Sequence, residues 1–266
     1  MMNNLFMRNL KFLVFYCLCF ISTTIFAQTP AGVEANLYKS FQIIDNWRDR
    51  QDTIANIDSL EHANDFFKEK LKNFTAQFPF TIDQKFTWLE GDNLYIASAP
   101  DGMFRIYSWD TWLGGSMHAF DNVYQVKVGD KTFSDFTPAD SAEEGHLTWW
   151  YSKLYTFKTN GKTYYLGVYN SVSSNRDAGQ GIRIFGIENG KLNNNIKLIK
   201  THSGLHSKLY YDYEFTSSSD LKSKPSIHFD EASNTIFLPL VDGNGRGTGK
   251  FITYKFTGQY FEMVKN

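Results

Sequence analysis

The chain of 266 residues is 42% hydrophobic, 17% aromatic and 21% charged. It is long enough for one large or two small domains, each with a hydrophobic core. Its formal net charge is −1 at pH 7. This balance gives no electrostatic reason to expect binding to nucleic acid or to an anionic membrane surface, so neither is predicted as a partner.

The N-terminus has the pattern of a secretory signal peptide. Arg8 and Lys11 precede a nearly continuous apolar run at 12–20, and Ala27 is the small residue before a cleavage site. A transmembrane anchor is the alternative, but the run is short and the polar residues 22–24 follow it. The ending resembles those of bacterial signal peptides. We therefore expect export to the periplasm, the outer-membrane surface or the exterior, with no integral membrane span after cleavage.

Both cysteines of the chain, Cys17 and Cys19, lie inside this signal peptide. The exported chain would therefore contain no disulfide, no thiolate metal site and no cysteine nucleophile. Its stability would depend on the hydrophobic core. No cofactor and no metal is predicted.

Two amphipathic helices are predicted after the signal peptide. A helical spacing of apolar residues runs through 33–48, and a clearer one runs through 58–77. Asp58 or Ser59 can cap the start of the second helix, and Pro79 ends it. We expect its apolar stripe to pack on the rest of the protein, with membrane or partner-helix binding as the alternative. The stripe consists of Leu60, Ala63, Phe67, Leu71, Phe74 and Phe78.

From residue 81 onward the apolar pattern has a period of two, which is typical of β-strands. The segment 153–169 is the clearest hairpin, because Asn160 and Gly161 can both adopt the positive φ of a type I′ turn. Segments 86–100 and 226–240 align with it as two further hairpins, the first with a strand at 86–90. Third strands are predicted at 103–110, 181–188 and 250–256, and fourth strands around 117–128, 192–199 and 259–264.

The predicted fold class is all-β, with repeated four-stranded antiparallel meanders and an N-terminal amphipathic helical segment. The meanders would be propeller-like or, alternatively, form a large sandwich or barrel. Extra strands are expected at 147–151 and 209–215. The predicted organisation is a signal peptide at 1–27, a helical segment at 28–80 packed on the β-domain, and an all-β domain at 81–266 made of three weak repeats of about 70 residues.

Two long loops after the second strands carry candidate ligand-binding arginines. Arg176 and Arg246 lie among small polar residues, and a guanidinium suits a carboxylate or phosphate ligand. An ion pair with the neighbouring Asp177 or Asp242 is the alternative.

Metal and phosphate sites are less well supported. The glycine-rich stretch 241–249 precedes a strand, whereas a phosphate-binding loop precedes a helix. Its Asp242 begins a loop that departs from the EF-hand pattern, which leaves only a looser calcium site open. His202 and His206 are four residues apart, but Ser203 and Gly204 between them favour a loop over a helical zinc site.

Glu143 and Glu144 lie shortly before Trp149 and Trp150, which is a combination that a glycosidase uses. Adjacent glutamates point apart in a strand, so a second carboxylate would have to come from elsewhere. The candidates for that carboxylate are Asp110 and Asp177.

The segment 109–118 is the most unusual local pattern. Trp112 and His118 flank two glycines at 114–115, a setting suited to sugar stacking or to a protein-binding hot spot. Trp109 alternates with Tyr107 and is expected to fill the core.

These patterns predict an exported, non-catalytic binding or structural protein of a bacterial envelope, whose ligand is a glycan or another protein. A carbohydrate-active hydrolase on a propeller-like scaffold is the alternative, and an inhibitor or immunity-type partner is a third class. The candidate ligand-binding residues are Trp112, His118, Trp149, Trp150, Arg176, Asp177 and Arg246.

Overall fold

The structure is a computed structural model that describes residues 29–137, 148–214 and 226–264. The predicted signal peptide, and with it both cysteines, lies outside these residues, as do Glu143 and Glu144. Within them, no helix is long and apolar enough to cross a membrane.

Two long helices open the described chain, α1 (Pro30–Arg48) and α2 (Ile54–Gln77). The hydroxyl oxygens of Thr29 and Thr53 accept hydrogen bonds from the first turns of α1 and α2. The predicted cap of the second helix at Asp58 or Ser59 is therefore wrong by about one turn. A short 3₁₀ helix (Pro79–Ile82) follows α2.

The predicted strand at 86–90 is also wrong, because this segment forms the short helix α3 (Thr87–Gly91). Phe86 and Leu89 are fully buried, and their spacing of three places both on one helical face. Trp88 points outward, with 53% of its surface exposed, and its backbone N–H donates to Glu34 Oε1 of α1 at 2.7 Å. Packing on α1 decides the conformation here.

The structure is mostly β, with 46% of the described residues in strands and 24% in helices. The fifteen strands of the described chain are β1 (Tyr95–Ser98), β2 (Phe104–Asp110), β3 (Phe120–Val128), β4 (Lys131–Phe136), β5 (Trp150–Thr159), β6 (Lys162–Val172), β7 (Asp177–Glu188), β8 (Lys191–Asn193), β9 (Ile199–Thr201), β10 (Gly204–His206), β11 (Lys208–Glu214), β12 (His228–Asp230), β13 (Thr235–Val241), β14 (Gly247–Phe256) and β15 (Phe261–Met263).

These strands form three open sheets. The first sheet has the order β1-β2-β3-β4, and the second has the order β11-β7-β6-β5, with β8 also paired to β7. The third has the order β10-β9-β15-β14-β13-β12, in which β15 and β9 are parallel. All other strand pairs are antiparallel, and none of the sheets closes on itself.

The hairpin at 153–169 is confirmed, with φ of 50° at Asn160 and 72° at Gly161 between β5 and β6. Two other strand predictions need correction. Of the extra strand predicted at 147–151, only Trp150 and Tyr151 lie in a strand, where they begin β5, and residue 147 lies outside the described residues. The strand at 192–199 is wrong, because the chain leaves the second sheet after β8 and enters the third sheet at β9, where Ile199 is buried.

The molecule is built in four layers: helices, first sheet, second sheet and third sheet. The apolar stripe of α2 packs on the first sheet, where Tyr107 and the fully buried Trp109 lie. The opposite face of the first sheet, with Phe104 and Ile106, packs on the second sheet. A further core between the second and third sheets includes Phe157.

The strand directions give the stack two different ends. Tight turns lie at one end, between β3 and β4, β5 and β6, β7 and β8, β12 and β13, and β14 and β15. The longer connections leave from the other, which we call the loop end. Tyr95 and Trp150, 5.5 Å apart, join the first two sheets there, and the Glu214 N–H donates to Gly245 O of the third sheet at 3.0 Å. Loops of all three sheets therefore meet at this end.

Candidate functional site

The loop 111–119 between β2 and β3 is closed at its base by polar contacts. The Thr111 N–H and hydroxyl both donate to Ala119 O, at 2.8 and 2.9 Å. Asp110 Oδ1 accepts from the Trp112 N–H at 2.8 Å, and Asp110 Oδ2 accepts from His118 Nδ1. Because a carboxylate only accepts, the proton of neutral His118 lies on Nδ1 and Nε2 is left as an acceptor.

The Asp110–His118 pair is buried on one side and accessible on the other. The Asp110 side chain is 9% exposed, whereas that of His118 is 34% exposed. His118 Nε2 makes no hydrogen bond to any described residue. The pair therefore presents a fixed acceptor to whatever enters the site.

Aromatic rings lie side by side around this pair. From Trp112 the row passes to His118 (6.1 Å between ring centroids), to Phe120 (6.3 Å) and to Trp150 (4.7 Å), and Tyr95 contacts both Trp150 (5.5 Å) and Phe120 (6.5 Å). We call these five residues the aromatic row. Phe120 is buried, Trp112, His118 and Trp150 are half-buried, and Tyr95 is 36% exposed. The row crosses from the first sheet to the second.

The two ends of the row differ in their charged surroundings. At one end the Arg48 guanidinium lies 5.2 Å from the centre of the Trp112 ring, while Arg48 also pairs with Asp45 at 3.1 Å. At the other end, burial raises the pKa of Tyr95, and the negative charge of Asp110 adds to this effect. The Tyr95 phenol, which like any tyrosine is protonated at neutral pH, can donate a hydrogen bond to a ligand.

A residue of α2 holds the loop in place from behind. Asn64 is 2% exposed, its Nδ2 donates to Thr111 O at 2.9 Å, and its Oδ1 accepts from Trp109 Nε1 at 3.0 Å. Local sequence patterns did not indicate Asn64, Tyr95 or Phe120 as site residues. Asn64 carries no distinct local signal, because it is one polar residue beside the apolar stripe of its helix.

Trp149 lies outside the aromatic row although it precedes Trp150. Its ring packs on Tyr169 at 5.2 Å, and the Arg183 guanidinium and Lys208 ammonium lie 5.1 and 5.5 Å from its centre. Successive residues of an extended chain point to opposite sides, which separates the two tryptophans.

Arg176 and Asp177 lie at the loop end of the second sheet. The long loop predicted around Arg176, residues 170–180 by its sequence, is in fact short, because β6 and β7 leave only 173–176 between them. Gly179 allows β7 to continue, since a Cβ there would lie 1.8 Å from the Tyr210 hydroxyl. Asp177 Oδ2 accepts from the Ser174 hydroxyl at 2.6 Å, which organises this short turn.

Arg246 lies in the corresponding loop of the third sheet. Asp242 Oδ1 accepts from the backbone N–H groups of Asn244 and Arg246 at 2.9 and 3.0 Å, and these bonds lower the pKa of Asp242. Both Arg176 and Arg246 are exposed, and neither forms an ion pair with a described residue. The alternative of a close ion pair with Asp177 or Asp242 is therefore not found among the described residues, although the positive charge of Arg246 adds to the lowering of the pKa of Asp242.

Metal coordination finds no support in the three described stretches of the chain, where no group of three or more His, Cys, Asp or Glu residues is placed to hold an ion. His206 lies in β10, and its Nε2 contacts the Ser203 hydroxyl at 2.9 Å. Of the predicted candidates, the structure thus brings Trp112, His118 and Trp150 together in one row. It places Trp149 beside a second cluster, and Arg176, Asp177 and Arg246 on separate turns at the loop end.

Comparison of the chain with models of protein families, with curated proteins and with solved structures found no significant match.

Proposed function

We propose that this chain is an exported binding protein of a bacterial envelope and that its aromatic row holds the rings of a glycan. The observation that carries the proposal is the unbroken contact of five rings across two sheets, with centroids 4.7 to 6.3 Å apart. Flat apolar faces with polar edges suit a sugar, which has apolar C–H faces and a rim of hydroxyl groups. The predicted signal peptide supports export.

Polar groups beside the rings can form hydrogen bonds with the hydroxyl groups of a sugar. His118 Nε2 can accept a hydrogen bond, and the Tyr95 hydroxyl can donate one. The indole N–H groups of Trp112 and Trp150 make no hydrogen bond to any described residue, so they too can donate to ligand hydroxyls. A few directional groups around an apolar surface are typical of small-ligand sites.

A glycosidase is less well supported than a binding protein. That chemistry needs two carboxyl groups about 5 to 9.5 Å apart on either side of one bond. Asp110 lies in the first sheet, Asp177 in the second and Asp242 in the loop between β13 and β14 of the third, and each is held by hydrogen bonds of its own loop. Glu143 and Glu144 lie outside the described residues.

The scaffold itself supports a propeller-like relationship between the sheets. Three mainly antiparallel sheets stack face to face, and their longer connections share one end, as in successive propeller blades. In this proposal the helices cover the outer face of the first sheet, where a further blade would otherwise pack.

A glycan array followed by titration calorimetry with the best oligosaccharide tests the binding site. Trp112→Ala and Trp150→Ala should each weaken binding about tenfold or more, equivalent to about 1.4 kcal/mol, because each removes a stacking surface. Trp88→Ala is the matched control: Trp88 is 53% exposed and contacts Tyr38, which is about 15 Å along α1 from Arg48.

Circular dichroism would verify that the three variants fold. Absence of glycan binding by the unsubstituted protein would refute the proposal. An equal loss of affinity in Trp88→Ala would refute the assignment of binding to the aromatic row.

A further inference from the structure

The Asp110–His118 pair has the arrangement of a general base. An imidazole acts as a base at one nitrogen when a carboxylate binds the other nitrogen and fixes the ring and its tautomer. Here Asp110 Oδ2 accepts from His118 Nδ1, and the opposite nitrogen has no hydrogen-bond partner among the described residues. Asp110 is itself held, because its Oδ1 accepts from the Trp112 N–H at 2.8 Å.

The imidazole is also oriented by its neighbours. It stacks on Phe120 with 17° between the ring planes, and Trp112 lies on another side with 57° between the planes. Asp110 is the charged group in contact with the imidazole, and the Arg48 guanidinium of α1 lies over the adjacent Trp112 ring, where Asp45 and Asp49 pair with it at 3.1 and 3.5 Å. The imidazole is therefore held between aromatic rings of the proposed glycan site, and its side chain is 34% exposed.

We propose that the Asp110–His118 pair hydrolyses an acyl ester carried by the glycan on the aromatic row. The inference rests on the proposed function for its natural substrate, an O-acylated glycan. It adds hydrolysis to binding at the same site, with His118 as the catalytic residue and Asp110 as a positioning residue.

The reaction requires water as the only co-reactant. His118 Nε2 removes a proton from a water molecule while the water oxygen attacks the acyl carbonyl carbon and the carbonyl π electrons move to oxygen. The tetrahedral intermediate then re-forms the carbonyl and breaks the bond to the sugar oxygen, which takes the proton from the imidazolium. The products are a carboxylic acid and a free glycan hydroxyl.

The same loop offers donors for the negative oxygen of that intermediate. The backbone N–H groups of Gly115 and Ser116 make no hydrogen bond to the described parts of the chain, and both residues are exposed. Gly115 has φ +63°, and no atom lies within 4 Å of the position of an added Cβ. Backbone N–H groups are frequent components of oxyanion sites.

A purely structural role is the competing explanation, because the same contacts close the loop 111–119. The two roles differ in what they predict. A structural pair affects folding stability only, whereas a base gives ester hydrolysis whose rate increases with pH as the imidazole loses its proton.

Release of p-nitrophenol from p-nitrophenyl acetate, and of acetate from acetylated xylan, tests the proposal. We expect hydrolysis above that of an equal concentration of free imidazole, with kcat/KM lowered about 100-fold in His118→Gln. Asp110→Asn should lower kcat and change the pH profile, because an amide can stabilise the other tautomer. His206→Gln is the control, since that histidine is bound to Ser203 in another sheet and should leave the rate unchanged.

Thermal melting verifies the fold, and added imidazole should restore hydrolysis to His118→Ala. A rate no higher than that of free imidazole, or a full rate in a folded His118→Gln, would overturn the inference. Glycan binding without ester hydrolysis would remove the inference and leave the proposed function intact. Hydrolysis of p-nitrophenyl acetate without glycan binding would instead remove the proposed function.

Discussion

Positive backbone φ is rare among the non-glycine residues of the described chain, and one residue of the candidate site has it. Five such residues have positive φ, and four of them are asparagines in turns or helix ends, a residue type that tolerates this region. The fifth is Trp112, with φ +59°. A bulky residue in this conformation costs about 1–3 kcal/mol and is found mainly at functional sites. Here the Asp110 carboxylate holds it there by accepting its N–H.

Substitution of two glycines by alanine compares the free-energy cost of a strained turn with that of an overpacked contact. Gly161→Ala should lower the free energy of unfolding by about 1–2 kcal/mol, because φ is +72° there while no atom crowds the new Cβ. Gly181→Ala should cost more, by overpacking worth about 1–3 kcal/mol or greater, since its Cβ would lie 2.2 Å from the Tyr169 ring and 2.6 Å from Leu209 O. Urea denaturation measures both, and a smaller loss at Gly181 would contradict the packing described here.

The Asn160–Gly161 turn could be predicted from two adjacent residues, because the turn chemistry is local. The requirement for glycine at 181 could not, because the atoms that exclude a Cβ belong to Tyr169 in β6 and Leu209 next to it in β11. The same reasoning applies to Tyr95 and Phe120, which became site residues only through their contacts with Trp150.

At the scale of elements, α2 and α3 show when a periodic pattern is informative. The stripe of α2 extends over five turns and matches its buried face, with Leu60, Phe67 and Leu71 fully buried. The segment 86–90 has only five residues, and both a strand and a helix suit its apolar positions. Contacts with α1 select the helix.

Substitution of two adjacent phenylalanines in α2 tests which face of that helix is buried. Phe67→Ala should reduce the free energy of unfolding by about 3–5 kcal/mol, because the ring is fully buried between Phe41 and Trp109, at 4.9 Å from each. Phe66→Ala should change it by less than about 0.5 kcal/mol, since that ring is 53% exposed. Guanidinium denaturation followed by tryptophan fluorescence compares the two, and similar losses would contradict the described helix orientation.

Across the whole molecule, the four layers bury tyrosines whose hydroxyl groups resist ionisation. Burial raises the pKa of Tyr107 and of Tyr213 to about 12, and it raises the pKa values of Tyr165 and Tyr211 still further. The ordinary pKa of tyrosine is about 10. Above that pH the unfolded chain loses protons that the folded chain keeps, so the folded state becomes less stable as pH rises.

The free energy of unfolding should therefore be unaffected by these tyrosines below about pH 10 and should fall between about pH 10 and 12. Tyr107→Phe should make this fall shallower by about 1.4 kcal/mol per pH unit. The reason is that the folded chain then retains one proton fewer, relative to the unfolded chain, than it does with Tyr107. Urea midpoints and m-values at several pH values from 8 to 11.5 measure the slope. An unchanged slope in Tyr107→Phe would contradict the burial of its hydroxyl, which donates to Gln125 Oε1 at 2.8 Å. The slope of stability against pH is compared, and not the stability itself, because loss of the Tyr107–Gln125 hydrogen bond lowers stability equally at every pH.

The sequence alone determined the features that depend on neighbouring residues: the β-rich character after residue 81, the stripe of α2 and the Asn160–Gly161 turn. Tertiary structure decided the helix at 87–91, the exit of the chain from the second sheet into the third, and the assembly of the aromatic row. The physical reason is the range of the interactions. Turn conformation and apolar period act within a few residues, whereas Trp112, His118 and Trp150 meet only because two sheets pack face to face at the loop end.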